Sequence, residues 1–399
     1  MPSRKINSLP FLYHPFRLLC AIYHRLYYRR FKVMGKANIP TGVPLIFACC
    51  HQNALMDALA VLFGYGRQVV FLARADIFRN KLIASLLRFI RILPLYRIRD
   101  GYSTLSQNQA TFDEVNQVIR QKIPIGIFPE GYHLGMKRLK PLRKGIARMA
   151  FRAESEADFK LGLQIVPVGL DYSDYYKAGS DLLVIFGKPL KVADYKEEYS
   201  QNPAIGMNGL LDDLSMAMRD LMIDIRPEEG YEEIKKAAEN YADAQIYKQH
   251  IRKNLQNRFF LVKQATERLT GAYTKGLLIF NELRDEMTSH NEMSSHFEII
   301  TRFILLILLF PLSLYGAFVN SVPFFIPSKL TRKIKDPHFI SSVRFGAGFL
   351  MFIFWYFLLT LLIIILFDNI FLILGLLISL PLSALISVCY FRLMKRKSV

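Results

Sequence analysis

Residues 44–60 read PLIFACCHQNALMDALA. The first seven form an unbroken apolar run of strand length, and helix-forming residues follow His51 almost at once. The segment therefore reads as a buried strand, a short turn and a helix. His51 and Asp57 could not share a face on one continuous helix. His51 accordingly belongs to the strand-to-helix turn, with Asn53 near the helix start and Asp57 returning from its first turns. In that geometry a carboxylate orients the imidazole while the other ring nitrogen accepts a proton.

Outward from this turn, QVVFLA (68–73), IPIGIF (123–128), LQIVPVG (163–169) and DLLVIFG (181–187) read as further buried strands. Segments 79–91, 104–121 and 143–156 between them read as helices, which makes an α/β layered domain around a largely buried sheet. Residues 207–224 give another amphipathic helix, and the charged helix-forming stretch after it lacks a strict heptad, so it reads as a helical extension rather than a coiled coil.

Three further segments carry chemistry. In RFIRILPLYRIRD, Arg97 and Arg99 follow an apolar run, and guanidinium groups suit phosphate through paired, directional hydrogen bonds. In IGIFPEGYHLGMKRLKPLRKG, a strand ends in Phe128, Pro129, Glu130 and Gly131, a tight turn able to present Glu130 and local amides at a cleft. His133, Lys137, Arg138, Lys140, Arg143 and Lys144 then form a positive rim. Glu130 would repel a phosphate set against it, which leaves a neutral hydroxyl or a basic partner for it to orient. In IVPVGLDYSDYY, Pro167 after a strand either shapes an acyl-binding cleft or closes the core edge. No Gly-x-Ser-x-Gly elbow is present, which argues against a covalent serine intermediate and leaves His51 to act as a general base on a hydroxyl.

The formal net charge is +19, which calls for an anionic partner: nucleic acid, a lipid surface or a phosphorylated substrate. The hydrophobic fraction of 52% and the long apolar runs near the C-terminus favour lipid, and no base-reading module is present. Four cysteines without a CxxC pair argue against a disulfide scaffold and structural zinc, and adjacent Cys49 and Cys50 read as small strand residues.

Segment 1–34 is basic and aromatic without a signal-peptide core. Phe16, Leu19, Cys20, Tyr23 and Tyr27 suit either an interfacial face, with Arg17, Arg25, Arg29 and Arg30 on anionic headgroups, or packing on the domain. Residues 35–224 are the catalytic domain and 225–303 the helical extension. Residues 304–327 are apolar but interrupted by Pro311, Gly316, Asn320 and Pro323, and are expected to be a re-entrant or interfacial segment. Residues 345–391 form a two-helix transmembrane hairpin broken at Asp368 and Asn369, and 392–399 a basic tail. Basic residues flank the hairpin on both sides and are absent from its turn, which places both flanks in the cytoplasm. The catalytic domain is expected to face the cytoplasm as well, and with it there segment 304–327 must be re-entrant or interfacial.

The ordered set His51 and Asp57, then Leu93, Pro94 and Arg97, then Phe128, Pro129, Glu130 and Gly131, then Val166 and Pro167 resembles the glycerolipid acyltransferase family over roughly residues 30–195. The resemblance implies a membrane-associated acyltransferase with acyl-CoA or acyl carrier protein as thioester donor and no bound cofactor or metal. His51 matches the catalytic histidine and Asp57 its orienting carboxylate. Arg97, Glu130 and Gly131 match residues around the acceptor's phosphate and glycerol. The expected acceptor is the free hydroxyl of 1-acylglycerol-3-phosphate, the alternatives being glycerol-3-phosphate or dihydroxyacetone phosphate, and the non-enzymatic alternative a membrane scaffold. Two departures resemble the glycerol-phosphate and dihydroxyacetone-phosphate branch: five residues rather than four separate His51 from Asp57, and Tyr132, His133 and Leu134 replace the usual Thr-Arg-Ser.

Overall fold

The computed structural model describes residues 11–95, 105–133, 135–288 and 296–395. Helix α1 (Tyr13–Tyr27) precedes β1 (Arg30–Met34), and β2 (Leu45–Cys49) leads through the His51 turn into α2 (Ala54–Tyr65). Then follow β3 (Val70–Arg74), α3 (Lys81–Phe89), β4 (Ile92–Leu95), α4 (Leu105–Arg120), β5 (Ile125–Ile127), α5 (Gly145–Ser155), β6 (Gln164–Tyr172), β7 (Asp181–Phe186) and the short β8 (Leu190–Lys191). The strands lie in the order β1, β7, β6, β2, β5, β3, β4, with β8 on the free part of the β6 edge. Pairing is parallel except where β6 meets β7 and β8.

Burial on both faces accounts for the continuous apolar runs: every residue of β2, β5 and β7 is buried. Segment 30–34, assigned above to the N-terminal piece, is the first strand of this sheet, Arg30 to Met34 pairing with Asp181 to Ile185. Pro167 lies inside β6 rather than after it. A central strand tolerates it because its carbonyl accepts from the Gly187 amide at 2.9 Å in the gap between the β8 and β7 pairings, where no ladder bond needs its missing N–H.

Helices α6 (Lys196–Gln201) and α7 (Pro203–Asp220) cover the sheet, and α8 (Tyr231–Lys248), α9 (Leu255–Lys275) and α10 (Leu277–Thr288) build a second core. That core is continuous with Leu183 and Ile185 of β7 and includes Ile225, Ile234, Phe259 and Phe280, so the helical extension is anchored on the sheet through apolar burial.

The chain then enters α11 (His296–Val319), α12 (Ser321–Thr331), α13 (Ile340–Leu366) and α14 (Ile370–Lys395). Among the described residues three helical stretches are long and apolar enough to cross a membrane: Ile300–Val319, Pro337–Leu366 and Ile370–Met394. The break between the last two falls at Phe367 to Asn369, and α11 runs unbroken through Pro311. At Asn320 the chain reverses. Arg302 near the start of α11 donates to the carbonyl of Met394, and Asn320 meets Tyr356 and Ser383. Helix α12 then returns along α13, with Phe324 beside Phe352 and Thr331 beside Arg344.

Candidate active site

Strands β2 and β5 are parallel neighbours, with Ala48 opposite Ile127, so the turns after them emerge at one edge of the sheet. Ligands of open α/β sheets are received at this carboxyl edge. His51 stands on the first turn and Glu130 on the second.

The His51 turn is shaped by Asp57. His51 Nδ1 lies 3.0 Å from Asp57 Oδ2, which also accepts from the amides of Gln52 and Asn53, each at 2.7 Å. Tyr172 donates its hydroxyl to Oδ1 at 2.8 Å. Four donors thus compensate a carboxylate with no solvent exposure. Ala54 carries φ 45°, a left-handed value costly for a residue with a Cβ. The sharp reversal there absorbs the longer His-to-Asp spacing and returns Asp57 to the imidazole from the first turn of α2. With Nδ1–H given to Asp57, Nε2 is the acceptor nitrogen.

Glu130 fixes the same turn from the other side. Its Oε1 accepts the His51 amide at 2.7 Å and its Oε2 the Lys140 amide at 3.1 Å. Burial raises its carboxyl to about 7, against the pull of those two amides. Both Glu130 oxygens face backbone amides, of His51 and of Lys140, rather than a basic side chain. Phe128 stacks on the imidazole with ring centroids 4.3 Å apart. Gly131 has φ 78° and closes the turn by donating to the Phe128 carbonyl, and Pro129 accepts from the Arg143 amide.

His133 meets His51 edge to face at 5.1 Å, and burial, with the neighbouring His51 and His338, lowers it to about 4. Pro167 is buried in β6, outside the described polar network around His51. Lys144 is exposed at the start of α5. Arg97 and Arg99 lie outside the described residues.

The positive rim needs correction. Lys137 is buried in an ion pair with Asp171, and Arg138 grips Glu228 and the carbonyls of Ile225 and Pro227. The Lys140 ammonium, lowered to about 8 by burial, donates to the Tyr132 carbonyl at 2.6 Å. The cause is the helical extension: Tyr231 accepts from the Lys137 amide at 2.7 Å, and the segment is clamped beneath it. Arg143 and Lys144 stay exposed. The thiols of Cys49, the last residue of β2, and of Cys50, just beyond the strand, are fully buried and raised well above their ordinary range by that burial. Among the described residues no cluster of metal-ligating side chains occurs.

Sequence reasoning did not identify Tyr172, although it lies in the quoted IVPVGLDYSDYY segment; a hydroxyl-bearing aromatic at a buried strand end was the available signal. It also missed the contacts made by the chain leading into α13 and by that helix's first turns. His338 and Phe339 pack on the His133 ring at 5.0 and 5.2 Å, Ser342 accepts from the Leu55 amide at 3.2 Å, and Arg344 donates to the Tyr176 carbonyl at 2.7 Å. The apolar hairpin is therefore fastened directly to the edge of the site.

Residues 30–171 match the Acyltransferase family model. The chain is 33% identical over 111 residues to glycerol-3-phosphate O-acyltransferase 2 of Saccharomyces cerevisiae, covering 28% of this chain and 15% of that protein. It is 25% identical over 169 residues to 1-acyl-sn-glycerol-3-phosphate acyltransferase of Bacillus subtilis, covering 41% of this chain and 75% of that one. With glycerol-3-phosphate O-acyltransferase 1 of Saccharomyces cerevisiae it shares 26% over 125 residues, 31% of this chain and 16% of that one. The chain thus spans about a sixth of the length of the yeast relatives it matches. The His51 and Glu130 turns both fall inside residues 30–171, the stretch that matches the Acyltransferase model, and the relatives named are glycerolipid acyltransferases to which the chain is similar.

Proposed function

We propose that this protein transfers a fatty acyl group from acyl-CoA, or from acyl carrier protein, to the free hydroxyl of 1-acylglycerol-3-phosphate. The observation that carries the reading is the 3.0 Å contact between His51 Nδ1 and a buried Asp57 at the carboxyl edge of the sheet. Asp57 fixes the tautomer, so Nε2 takes the proton of the acceptor hydroxyl as its oxygen attacks the thioester carbonyl. The carbon–sulfur bond then breaks, and the thiolate leaves with the proton held by His51. Glu130 acts as a positioning group through the His51 amide, and Phe128 sets the plane of the ring. Arg97 and Arg99 are assigned to the acceptor's phosphate, and Gly131 with His133 to the wall around it.

Glycerol-3-phosphate is the second reading, favoured by the names of the two yeast relatives and by the longer His-to-Asp spacing. The catalytic domain is assigned to the cytoplasm with the basic flanks of the hairpin, because Arg344 before it donates to the Tyr176 carbonyl and Arg392 after it to the Leu26 carbonyl. With the domain there, segment 304–327 is assigned as a re-entrant hairpin, because α12 returns along α13 from Asn320. The length of α11 alone would also allow a crossing.

The test is release of free CoA by the full-length protein in detergent with a panel of acceptors. The proposal expects release only with acceptor, fastest with 1-acylglycerol-3-phosphate. Faster turnover of glycerol-3-phosphate would replace the acceptor, and equal release without any acceptor would overturn acyl transfer.

A further inference from the structure

Helix α1 presents three different faces. Phe16 and Tyr23 pack on Phe345 and Phe349, laying the helix across the N-terminal half of α13. Leu18, Leu19, Ile22 and Leu26 are each at least 43% exposed and form an apolar stripe beside that contact. The third face looks into a groove of about 360 Å³, lined by His14, Arg17, His24 and Arg25 together with Phe63 and Gly66 at the far end of α2. The groove is separate from the His51 turn, which lies at the other end of that helix.

Its polar groups lack anionic partners. Arg17 donates to the Gly66 carbonyl at 2.6 Å and Arg25 to the Phe31 carbonyl, and among the described residues neither forms an ion pair. His24 has no solvent exposure and sits among the rings of Tyr28, Phe31 and Phe63, each about 5 Å away. Neither of its ring nitrogens has a hydrogen-bond partner, nor has the buried Arg17 Nε. An imidazole buried in an aromatic cage with both nitrogens unmatched is costly unless something completes it. Arg29 and Arg30, expected with Arg17 and Arg25 to meet headgroups, are instead paired with Asp181. The open cationic capacity is therefore concentrated in this groove.

We propose that the groove binds the phosphate of an anionic phospholipid headgroup, seating α1 on the lipid surface beside α13. The ligand chemistry is a phosphate oxyanion, for which Arg17 and Arg25 are suitable donors, joined by one His24 N–H once the ring turns out of its aromatic cage toward the groove. Its source is assigned to a lipid because the apolar stripe adjoins the groove on the same helix, so acyl chains and headgroup are received together. The inference does not rest on the acyl-transfer reading.

The test uses the full-length protein in a zwitterionic detergent, titrated with dihexanoylphosphatidylglycerol, dihexanoylphosphatidylcholine or inorganic phosphate. Thermal stability and the ring signals of ¹⁵N-histidine-labelled protein are followed. Phosphatidylglycerol is expected to raise the midpoint and move the His24 signals, with half-saturation at least about tenfold higher in Arg25→Gln, as loss of one charge-assisted contact implies. His24→Phe, which keeps the aromatic packing, should reduce the thermal response in the same direction. Unchanged half-saturation in both variants would overturn the site. A full response to inorganic phosphate would make it a soluble-anion site and refute the lipid assignment, and an equal response to phosphatidylcholine would reduce it to apolar contact. Acyl transfer in detergent should be unchanged in Arg25→Gln, so this outcome is separable from the identity of the enzyme.

Discussion

The turn around His51 and the helical hairpin at the C-terminus solve opposite problems. In the sheet, apolar side chains such as Phe47, Ile125 and Val166 are fully buried, and the polar groups that join them, Asp57 and Glu130, are completely satisfied. In the hairpin the apolar side chains face outward, Ile365 at 78% and Phe371 at 82% exposure, while Ser387 within it and Asn320 packed against it are buried. The inversion is what a change of solvent from water to hydrocarbon requires. It also changes what a buried polar group contributes. Around Asp57 the hydrogen bonds compete with water, and leaving one unmade is expensive. Around Asn320 they join helices whose apolar surfaces gain little by association, so polar contacts and close approaches such as Gly316 against Ser383 hold the bundle together.

That contrast can be broken by substitution. Asp57→Ala strands the amides of Gln52 and Asn53 and the Tyr172 hydroxyl, and should destabilise the catalytic domain by about 3–5 kcal/mol in denaturant titration. A loss below about 1 kcal/mol would show that the network is weaker than its geometry. Tyr172→Phe removes a single donor and should cost about 1 kcal/mol, with a smaller fall in turnover than any change at Asp57. Asn320→Leu, equally buried but in the apolar bundle, should cost about 0.5–2 kcal/mol in unfolding from detergent. A cost as large as that of Asp57→Ala would erase the distinction between the two regions.

The smallest effect is a pH slope. Glu130 is raised to about 7, so the folded state holds its proton more tightly than the unfolded chain. Its contribution is fully present below the ordinary glutamate range and is lost as pH rises through about 7. Stability should fall across that window in the natural protein and fall less in Glu130→Gln, as thermal melts at a series of pH values would read. An identical slope in both would remove Glu130 as the titrating group.

Much of this was legible in the chain. The turn between β2 and α2 follows from an apolar run passing directly into a helical pattern, and the hairpin from two apolar stretches around Asp368 and Asn369. What escaped was set by tertiary context. RFKVM is short and charged, yet it forms β1 because β7 offers a parallel edge. The approach to Pro94 was read as an apolar run after a helix, but Ile92 to Leu95 pair with β3 as β4. Lys137 and Arg138 look like a solvated run until Tyr231, far along the chain, closes over them. The packing of His338 and Phe339 against His133 joins segments about two hundred positions apart, and no local pattern encodes it.

The central claim is that His51, held by Asp57, is the general base. Its most direct measurement is the rate of acceptor-dependent CoA release by His51→Ala, in detergent, beside the natural protein. The account predicts a loss of about 10² to 10⁴ in kcat with the folded protein intact. Retention of full turnover by that variant would contradict it.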